Sequence, residues 1–272
     1  MSNLFSVTDK IAVVTGGTGA LGSVMCQTLA KAGATVIVMA RNAEKAKHVA
    51  DDIITEGGQA MPLPCDVLDA EALKEATAKI IAQYGHIDIL INGAGGNRAE
   101  ATAMPNQRTF FELPEEALQW VFNLNMLGTL LPSQVIGKVM AEQGSGVIIN
   151  ISSMASMQAL TRVVAYSAAK AAINNFTQWL STYMASEYSP DIRVNAIAPG
   201  FFLGEQNRFL LLNDDESLTD RGQQIIDHTP MNRFGNPQDL DGTLLWLVSD
   251  ASKFVTGIVV PVDGGFSAFS GV

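Results

Sequence analysis

The sequence predicts an α/β fold, a doubly wound parallel sheet with helices on both faces. Short β-branched runs alternate with longer helical patterns along the chain, which is typical of repeated β-α units. Several runs, including IDILI and ATVIVM, are apolar at nearly every position, as strands are when both faces of a parallel sheet are covered. No internal repeat, low-complexity linker or charge block marks a boundary, so residues 1–272 are expected to form one domain.

These patterns assign the strands and helices in order. Seven segments are predicted to be strands: Ile11–Thr15, Thr35–Met39, Ala60–Leu63, Ile87–Ile91, Gly146–Ile151, Ile192–Ile197 and Gly257–Pro261. Helical patterns lie near residues 20–32, 43–56, 70–84, 115–142, 166–187 and 237–249. Gly33, Gly57 and Gly85 follow helical stretches and are expected to end them. The section at about residues 199–236 is long, irregular and apolar, which favours a loop that covers a substrate.

The composition narrows the class of protein. Of 272 residues, 47% are hydrophobic and 16% are charged, which is sufficient for a sizeable core. The net charge of −10 argues against nucleic acid or an anionic membrane as a general partner. Cys26 and Cys65 are too few for a disulfide framework and have no metal-like spacing, so no metal site is expected. The segment MSNLFSVTDK lacks an apolar signal core, and no apolar run reaches about 18 residues, so a cytoplasmic location is expected.

A glycine-rich turn, TGGTGALG at residues 15–22, joins the first strand to the first helix. Glycines at such a turn let the main chain approach a pyrophosphate, and the start of a helix adds unpaired N–H groups and a partial positive charge. A merely flexible turn would contain the same glycines. The position after the first strand and before an apolar helix favours a dinucleotide site.

The end of the second strand bears on the choice between NAD and NADP. A site for NAD usually places an acid there to accept from the ribose 2′-hydroxyl, whereas this chain has MARN and no acid before Glu44. Arg41 could pair with a 2′-phosphate, or it could be a solvated surface arginine. We therefore expect NADP(H) to be favoured, with NAD(H) as the alternative. Asp66, after the third strand, is placed either to meet the adenine edge or to start a helix.

Six segments occur together in the order and spacing of one family. They are the glycine-rich turn at 15–22, INGAG at 91–95, NMLG at 125–128, NISS at 150–153, YSAAK at 166–170 and VNAIAPG at 194–200. Along essentially its whole length the chain resembles the short-chain dehydrogenase/reductase family. This resemblance implies a single-domain Rossmann fold with seven strands, a nicotinamide cofactor, and a catalytic group of Asn125, Ser153, Tyr166 and Lys170. Ser153 is the better match than Ser152, because it lies thirteen residues before the tyrosine.

The resemblance implies a role for each catalytic residue. Tyr166 and Lys170 are four residues apart, so on a helix they share a face. An amphipathic helix with an exposed lysine would give the same spacing. In the catalytic interpretation the ammonium group favours the phenolate, lowers the phenol pKa from about 10, and holds the nicotinamide ribose. Ser153 would donate to the substrate oxygen, and Asn125 would anchor a water that relays protons toward Lys170.

The residues expected to bind the cofactor lie in the first turn, at the ends of later strands and on the catalytic helix. They are Gly16, Thr18, Gly19, Leu21, Gly22, Arg41, Asn42, Asp66, Val67, Asn92, Gly93, Ala94, Tyr166, Lys170, Pro199 and Gly200. One position departs from the family. A threonine that bonds the nicotinamide amide commonly follows the APG segment by four residues, and here that position is Gly204.

Polar side chains beside the expected pocket are candidates for binding the substrate, namely Asn97, Arg162, Gln206 and Arg208. Arginines could hold a carboxylate with two hydrogen bonds, and amides suit sugar hydroxyls. Each of the four could equally be a surface or interface residue.

The segments TFFEL, LNMLGTLLPSQV, APGFFLGEQNRFLL and HTPMNRFG look like the D-mannonate oxidoreductase, or fructuronate reductase, branch of the family. That resemblance implies interconversion of D-fructuronate and D-mannonate in hexuronate metabolism. Gluconate 5-dehydrogenase-like chemistry on another keto-sugar acid is the nearest alternative. A non-catalytic NADP-binding regulator, and an epimerase or dehydratase on the same fold, are alternatives of other classes. The apolar segment GIVVPVDGG either packs as an edge strand or pairs with a partner subunit, as in the family's usual tetramers.

Overall fold

A computed structural model describes residues 4–104, 106–204, 208 and 210–271. Seven strands form its sheet: β1 (Ile11–Thr15), β2 (Thr35–Ala40), β3 (Gln59–Pro64), β4 (Ile89–Asn92), β5 (Gly146–Ile151), β6 (Ile192–Pro199) and β7 (Val259–Val262). The α-helices with defined bounds are α1 (Ala20–Lys31), α2 (Ala43–Thr55), α3 (Ala70–Tyr84), α4 (Glu115–Gln143), α5 (Val164–Glu187), α6 (Asp220–Asp227) and α7 (Asp241–Val248). Within the described ranges, no helix combines the length and hydropathy that crossing a membrane requires.

All strand pairs are parallel, and the order across the sheet is β3-β2-β1-β4-β5-β6-β7. The chain therefore runs outward from β1 in one direction and then returns to continue from β4 in the other. In open α/β sheets, ligands bind in the crevice at the carboxyl ends of the strands where this reversal occurs. In this chain the reversal lies between β1 and β4, and Thr15 pairs with Asn92 at its carboxyl edge.

The hydrophobic core lies on both faces of the sheet, which explains why the strands are apolar at successive positions. One face carries Val14, Val38 and Ile91 against side chains of α1, α2 and α7. The opposite face carries Val13 and Ile148 against side chains of α3, α4 and α5. The predicted doubly wound α/β fold is thus confirmed.

Most predicted elements are confirmed, with ends that differ by a few residues. Gly33, Gly57 and Gly85 each follow a helix end, as expected. The clearest difference is α6, which lies within the section at 199–236 that was predicted to be irregular. This helix has only eight residues and contains Gly222, so its periodic signal is short. Its start is nevertheless marked, because the Thr219 side chain accepts from the Gly222 N–H.

A buried arginine attaches β6 to the end of α7. Arg193 is 7% exposed. Its Nη1 donates to the Leu247 carbonyl and the Ser252 hydroxyl, both at 2.9 Å, and its Nη2 donates to the Ser249 carbonyl at 3.2 Å. A cation at a helix C-terminus satisfies unpaired carbonyls and matches the negative end of the helix dipole.

We expect Arg193→Met to lower the free energy of unfolding by about 2–4 kcal/mol, since it leaves buried carbonyls without donors. Urea denaturation followed by circular dichroism measures the change. The control is Lys31→Met, whose ion pair with Glu56 is exposed and should contribute about 0.5 kcal/mol or less. Equal stabilities of the Arg193→Met and Lys31→Met variants would contradict the assigned role.

Candidate active site

The glycine-rich turn brings the main chain of β1 against the end of β4. Gly16 has φ of +65°, and a Cβ placed on it would lie 2.8 Å from the Ala94 N and 2.7 Å from the Gly93 O. Only glycine therefore fits between the two segments. The Thr15 hydroxyl accepts from the N–H groups of Gly93 and Ala94, both at 3.2 Å. These contacts hold the two sides of the crevice together.

The start of α1 presents free donors to this crevice. Its N-cap residue is Gly19, which provides no side-chain cap. Within the described part of the chain, the N–H groups of Ala20, Leu21 and Gly22 have no acceptor. Three N–H groups at the positive end of a helix suit a pyrophosphate, so the residues present fit a dinucleotide. Thr18 is half-buried in the same turn.

The side chain of Asn92 belongs to a buried network between strands and helices. Its Nδ2 donates to the Ser133 hydroxyl and to the Asn150 Oδ1, both at 2.9 Å. Asn150 in turn donates to the Thr177 hydroxyl at 2.9 Å. Because Asn92 is 1% exposed, its side chain faces the core and leaves the main chain as its surface toward a cofactor.

The residues predicted to meet the adenosine half lie at the ends of β2 and β3. Arg41 is exposed and forms no hydrogen bond or ion pair with the described residues. The Asn42 side chain caps α2 by accepting from the Lys45 N–H at 2.9 Å, so its oxygen already has a structural role. The Asp66 carboxylate accepts from the Leu68 N–H at 3.0 Å and does not cap α3, whose cap is Asp69. Val67 is buried beneath it.

Pro199 and Gly200 close the other side of the crevice at the end of β6. The Gly200 N–H donates to the Val262 carbonyl at 2.9 Å, which ties the end of β6 to β7. Pro199 is buried, whereas Gly200 is half-buried.

Asn125 and Lys170 meet on either side of one glycine. A Cβ placed on Gly95 would lie 2.7 Å from the Asn125 Oδ1 and 3.3 Å from the Lys170 Nζ. Asn125 donates from Nδ2 to the carbonyls of Gly96 and Val121, both at 2.7 Å, and accepts from the Gly96 N–H at 3.2 Å. Both N–H groups of the amide are thus used within the protein. Asn125 positions the Gly95–Gly96 segment, and only Oδ1 keeps capacity for a water.

Ser152 and Ser153 point in different directions from the end of β5. The Ser152 hydroxyl donates to the Asn174 Oδ1 at 2.5 Å and lies 3.3 Å from the Lys170 carbonyl oxygen, so it packs against α5. The Ser153 side chain lies close enough to Tyr166 to lower the phenol pKa, and its Oγ accepts from the Ala155 N–H at 3.2 Å. The serine predicted from its spacing is therefore the one beside the phenol.

Lys170 is 4% exposed, and its Nζ donates to the Ile151 carbonyl at 2.7 Å. The same nitrogen lies 5.5 Å from the centre of the Tyr166 ring. Burial lowers the pKa of Lys170 to about 7. The predicted helix face with a phenol beside an ammonium group is thus present, but its lysine loses its proton near neutrality.

The expectation of a lowered phenol pKa is wrong for these residues by themselves. Burial raises the pKa of Tyr166 above its ordinary value, and the hydrogen bond with Ser153 only partly opposes this effect. Desolvation of the buried ring disfavours the phenolate, and the spacing of Tyr166 and Lys170 in the sequence does not reveal this effect. Of these two neighbouring groups, Lys170 loses its proton first, near pH 7, whereas Tyr166 loses its proton only above its ordinary pKa.

An apolar layer lies above these polar groups. It consists of Met154, Leu211, Ile225 and Phe266, with the ring of Tyr166 packed against it. Ile225 is on α6, so part of the section at 199–236 packs in the same apolar cluster as the Tyr166 ring. Excluding water in this way strengthens the electrostatic interactions beneath the layer.

The predicted substrate residues are not all free to bind a ligand. The Asn97 Nδ2 donates to the Thr102 hydroxyl at 3.0 Å, and the Arg208 Nη2 pairs with Glu216 at 2.5 Å. Arg162 is half-buried and has no acid partner among the described residues. Gln206 lies outside the described residues.

Sequence reasoning missed three residues of this region. Thr15 and Gly95 lie in quoted segments, but their roles depend on contacts with Gly93 and Asn125 that spacing does not reveal. Arg221 lies on α6, close enough to Arg162 for the two guanidinium groups to repel each other. The one available signal was Thr219 followed by Asp220, a common start of a helix.

Known proteins resemble this chain over nearly its full length. A family model for short chain dehydrogenases matches residues 10–211. The uncharacterized oxidoreductase UxuB of Bacillus subtilis is 48% identical over 275 residues, which cover 98% of each chain. A candidate D-mannonate oxidoreductase from Haemophilus influenzae, solved with bound NAD, is 45% identical with a TM-score of 0.92 and 98% coverage of each chain. A gluconate 5-dehydrogenase from Burkholderia cenocepacia, solved with NADP and tartrate, is 30% identical with a TM-score of 0.86 and 98% coverage of each chain.

The match to the family model extends over more than half of the chain, and the relatives share its fold and its length. The chain belongs to the short-chain dehydrogenase/reductase family and is an oxidoreductase that acts on alcohol groups with a nicotinamide cofactor.

Proposed function

We propose that this enzyme interconverts a keto-sugar acid and its alcohol, with D-fructuronate and D-mannonate as the substrate pair. The observation that carries the proposal is the arrangement of Ser153, Tyr166 and Lys170 beneath a layer whose helix α6 bears a half-buried arginine. The similarity to a candidate D-mannonate oxidoreductase supports the same substrate. Reduction of another keto-sugar acid is the second candidate, and the gluconate 5-dehydrogenase relative favours it.

During this reaction, side chains of the enzyme bind the carbonyl oxygen and transfer one proton to it. A bound nicotinamide supplies the hydride that adds to the carbonyl carbon. The Ser153 hydroxyl donates a hydrogen bond to the carbonyl oxygen as negative charge develops on it. The Tyr166 hydroxyl transfers its proton to that oxygen, so that the C=O bond becomes a C–O–H group. Lys170, whose Nζ lies 5.5 Å from the ring, favours the phenolate that remains.

The substrate is identified by assaying a panel of sugar acids and keto-sugar acids with NADH and NADPH in parallel. We expect D-fructuronate to give the highest kcat/KM, with loss of reduced cofactor matching the alcohol formed. Tyr166→Phe is the catalytic control and should lower kcat by about 10²–10⁴-fold, the usual contribution of a positioned acid. The proposal fails if no keto-sugar acid is reduced. A product formed without net loss of reduced cofactor would indicate an epimerase or dehydratase instead.

We further propose a preference for NADP(H), which Arg41 supports because it is exposed at the end of β2 and has no partner among the described residues. The NAD bound to the Haemophilus influenzae relative makes NAD(H) the alternative. Arg41→Ala should raise KM for NADPH by about 10-fold through loss of a charge-assisted hydrogen bond, and should change KM for NADH by less than about twofold. Lys47→Ala, an exposed lysine on α2, controls for the loss of one charge. Equal changes for NADPH and NADH would contradict the assignment.

The titration of the Tyr166–Lys170 pair predicts opposite pH profiles for the two directions. Alcohol oxidation needs the form in which the two groups together have lost one proton. Its kcat/KM should therefore rise as the pH increases through about 7. Carbonyl reduction needs that proton, so its kcat/KM should fall above the same pH. In Lys170→Met the inflection should move above pH 10, because Tyr166 alone titrates above its ordinary value. An unchanged inflection in this variant would exclude Lys170 as its origin.

We also infer that the enzyme is a homo-oligomer, with a tetramer as the expected form. β7 is an edge strand that pairs only with β6 among the described strands, and its residues are not fully buried. On α5, Trp179 is 55% exposed and stacks on Tyr183 with ring centres 4.9 Å apart. Exposed aromatic stacks and apolar edge strands are typical of surfaces that a second copy covers.

A further inference from the structure

The turn before the catalytic helix holds Arg162 in an uncommon backbone conformation. Arg162 has φ of +82°, a value that few non-glycine residues adopt. Its carbonyl accepts from the Ala103 N–H at 2.9 Å, and its Nη1 lies 3.9 Å from the Met104 Sδ. These contacts hold the turn against the segment that follows β4. They hold Arg162, which lies four residues before Tyr166 in the chain, against that segment.

A second arginine lies on helix α6. Arg221 is half-buried in the first turn of α6. Ile225, four residues later on the same face, packs in the apolar layer against which the Tyr166 ring lies. The packing of Ile225 therefore anchors the face of α6 that carries Arg221 over the catalytic region.

Arg221 lies within electrostatic range of Arg162, and neither arginine has a counterion among the described residues. Burial and the nearby Arg162 lower the pKa of Arg221. Neither arginine has an acid within ion-pair distance among the described residues, although the chain has 27 acids and 17 lysines and arginines. Arg208 and Arg233, by contrast, are paired with Glu216 and Asp239. Two half-buried like charges repel, so this arrangement is unfavourable unless an anion joins them.

We propose that Arg162 and Arg221 together hold the carboxylate of the sugar-acid substrate, while its carbonyl group lies against Ser153 and Tyr166. This inference rests on the proposed function and names two residues that would give it specificity. In D-fructuronate the keto group and the carboxylate are separated by three hydroxyl-bearing carbons, so separate groups of the protein must bind the two ends. Guanidinium groups match the flat, two-oxygen geometry of a carboxylate.

Arg162 lies in the turn before α5 and Arg221 lies on α6, so a bound carboxylate would link that turn to α6. Helix α6 would then be stabilised against the cluster that contacts Tyr166 only when a substrate with a carboxylate is bound. An uncharged ketose of the same length would leave the repulsion between the arginines in place. The site would therefore discriminate between a sugar acid and the corresponding neutral sugar by both attraction and repulsion.

The test compares D-fructuronate with D-fructose, which has a hydroxymethyl group in place of the carboxylate. Arg221→Met and Arg162→Met should each raise KM for D-fructuronate by about 10- to 100-fold, as expected for a lost hydrogen bond to a charged group. The same variants should leave KM for D-fructose unchanged or lower it, because they remove the repulsion between the arginines and no contact with this substrate. KM of Arg221→Lys for D-fructuronate should lie between the values of Arg221→Met and the parent, because lysine keeps the charge but loses the paired donors. Lys138→Met, an exposed lysine on α4, controls for net charge and should resemble the parent.

A binding measurement that does not depend on turnover accompanies the kinetics. D-mannonate should raise the unfolding temperature of the cofactor-loaded parent more than that of Arg221→Met, whereas D-mannitol should act equally on both. Without ligand, Arg221→Met should be at least as stable as the parent, because it relieves the repulsion. Equal KM changes for D-fructuronate and D-fructose, or equal D-mannonate shifts in parent and variant, would overturn the carboxylate site while leaving the proposed function intact. If the parent reduces no keto-sugar acid, the proposed function fails and this inference fails with it.

Discussion

The active site depends on the burial of Lys170 and on its hydrogen bond to the Ile151 carbonyl at the end of β5. That bond joins α5 to the sheet at the strand that leads into Ser153. It therefore fixes both the phenol, one turn earlier on the helix, and the serine hydroxyl that contacts it. Burial has a second consequence, since it lowers the pKa of Lys170 to about 7. The burial that accompanies this contact thus brings proton exchange by Lys170 into the neutral range.

The crevice is made by contacts between main-chain segments more than by side chains. Gly16 and Gly95 are the positions where a Cβ would collide with the neighbouring segment or with Asn125. Thr15 and Asn125 then satisfy N–H groups of the chain after β4. The geometry of such a crevice needs small residues where two segments touch and polar side chains where main-chain donors would otherwise be unpaired.

The charge distribution is compatible with binding of the proposed sugar-acid substrate by a protein that is itself acidic. The net charge of −10 repels anions at long range, but this field is screened over about 10 Å at ordinary ionic strength. Local groups decide binding within that distance. The donors at the start of α1 suit a pyrophosphate, and Arg162 and Arg221, which have no acid partner among the described residues, are proposed to hold the substrate carboxylate. Each is a separate positive region in a negative molecule.

The order of elements, the doubly wound fold, the glycine-rich turn and the Tyr166–Lys170 face could all be predicted from the sequence, because each depends on local periodicity or on short spacing. The direction of the phenol pKa could not, since it depends on how deeply α5 and the apolar layer bury the ring. The helix α6 was too short to give a periodic signal, and only its packing through Ile225 shows where it lies. Likewise Arg208 and Arg162 looked alike in sequence. Tertiary structure pairs Arg208 with Glu216 and leaves Arg162 within electrostatic range of Arg221, without an acid partner among the described residues. The reason is that the position of a counterion is set by contacts between segments distant in the chain.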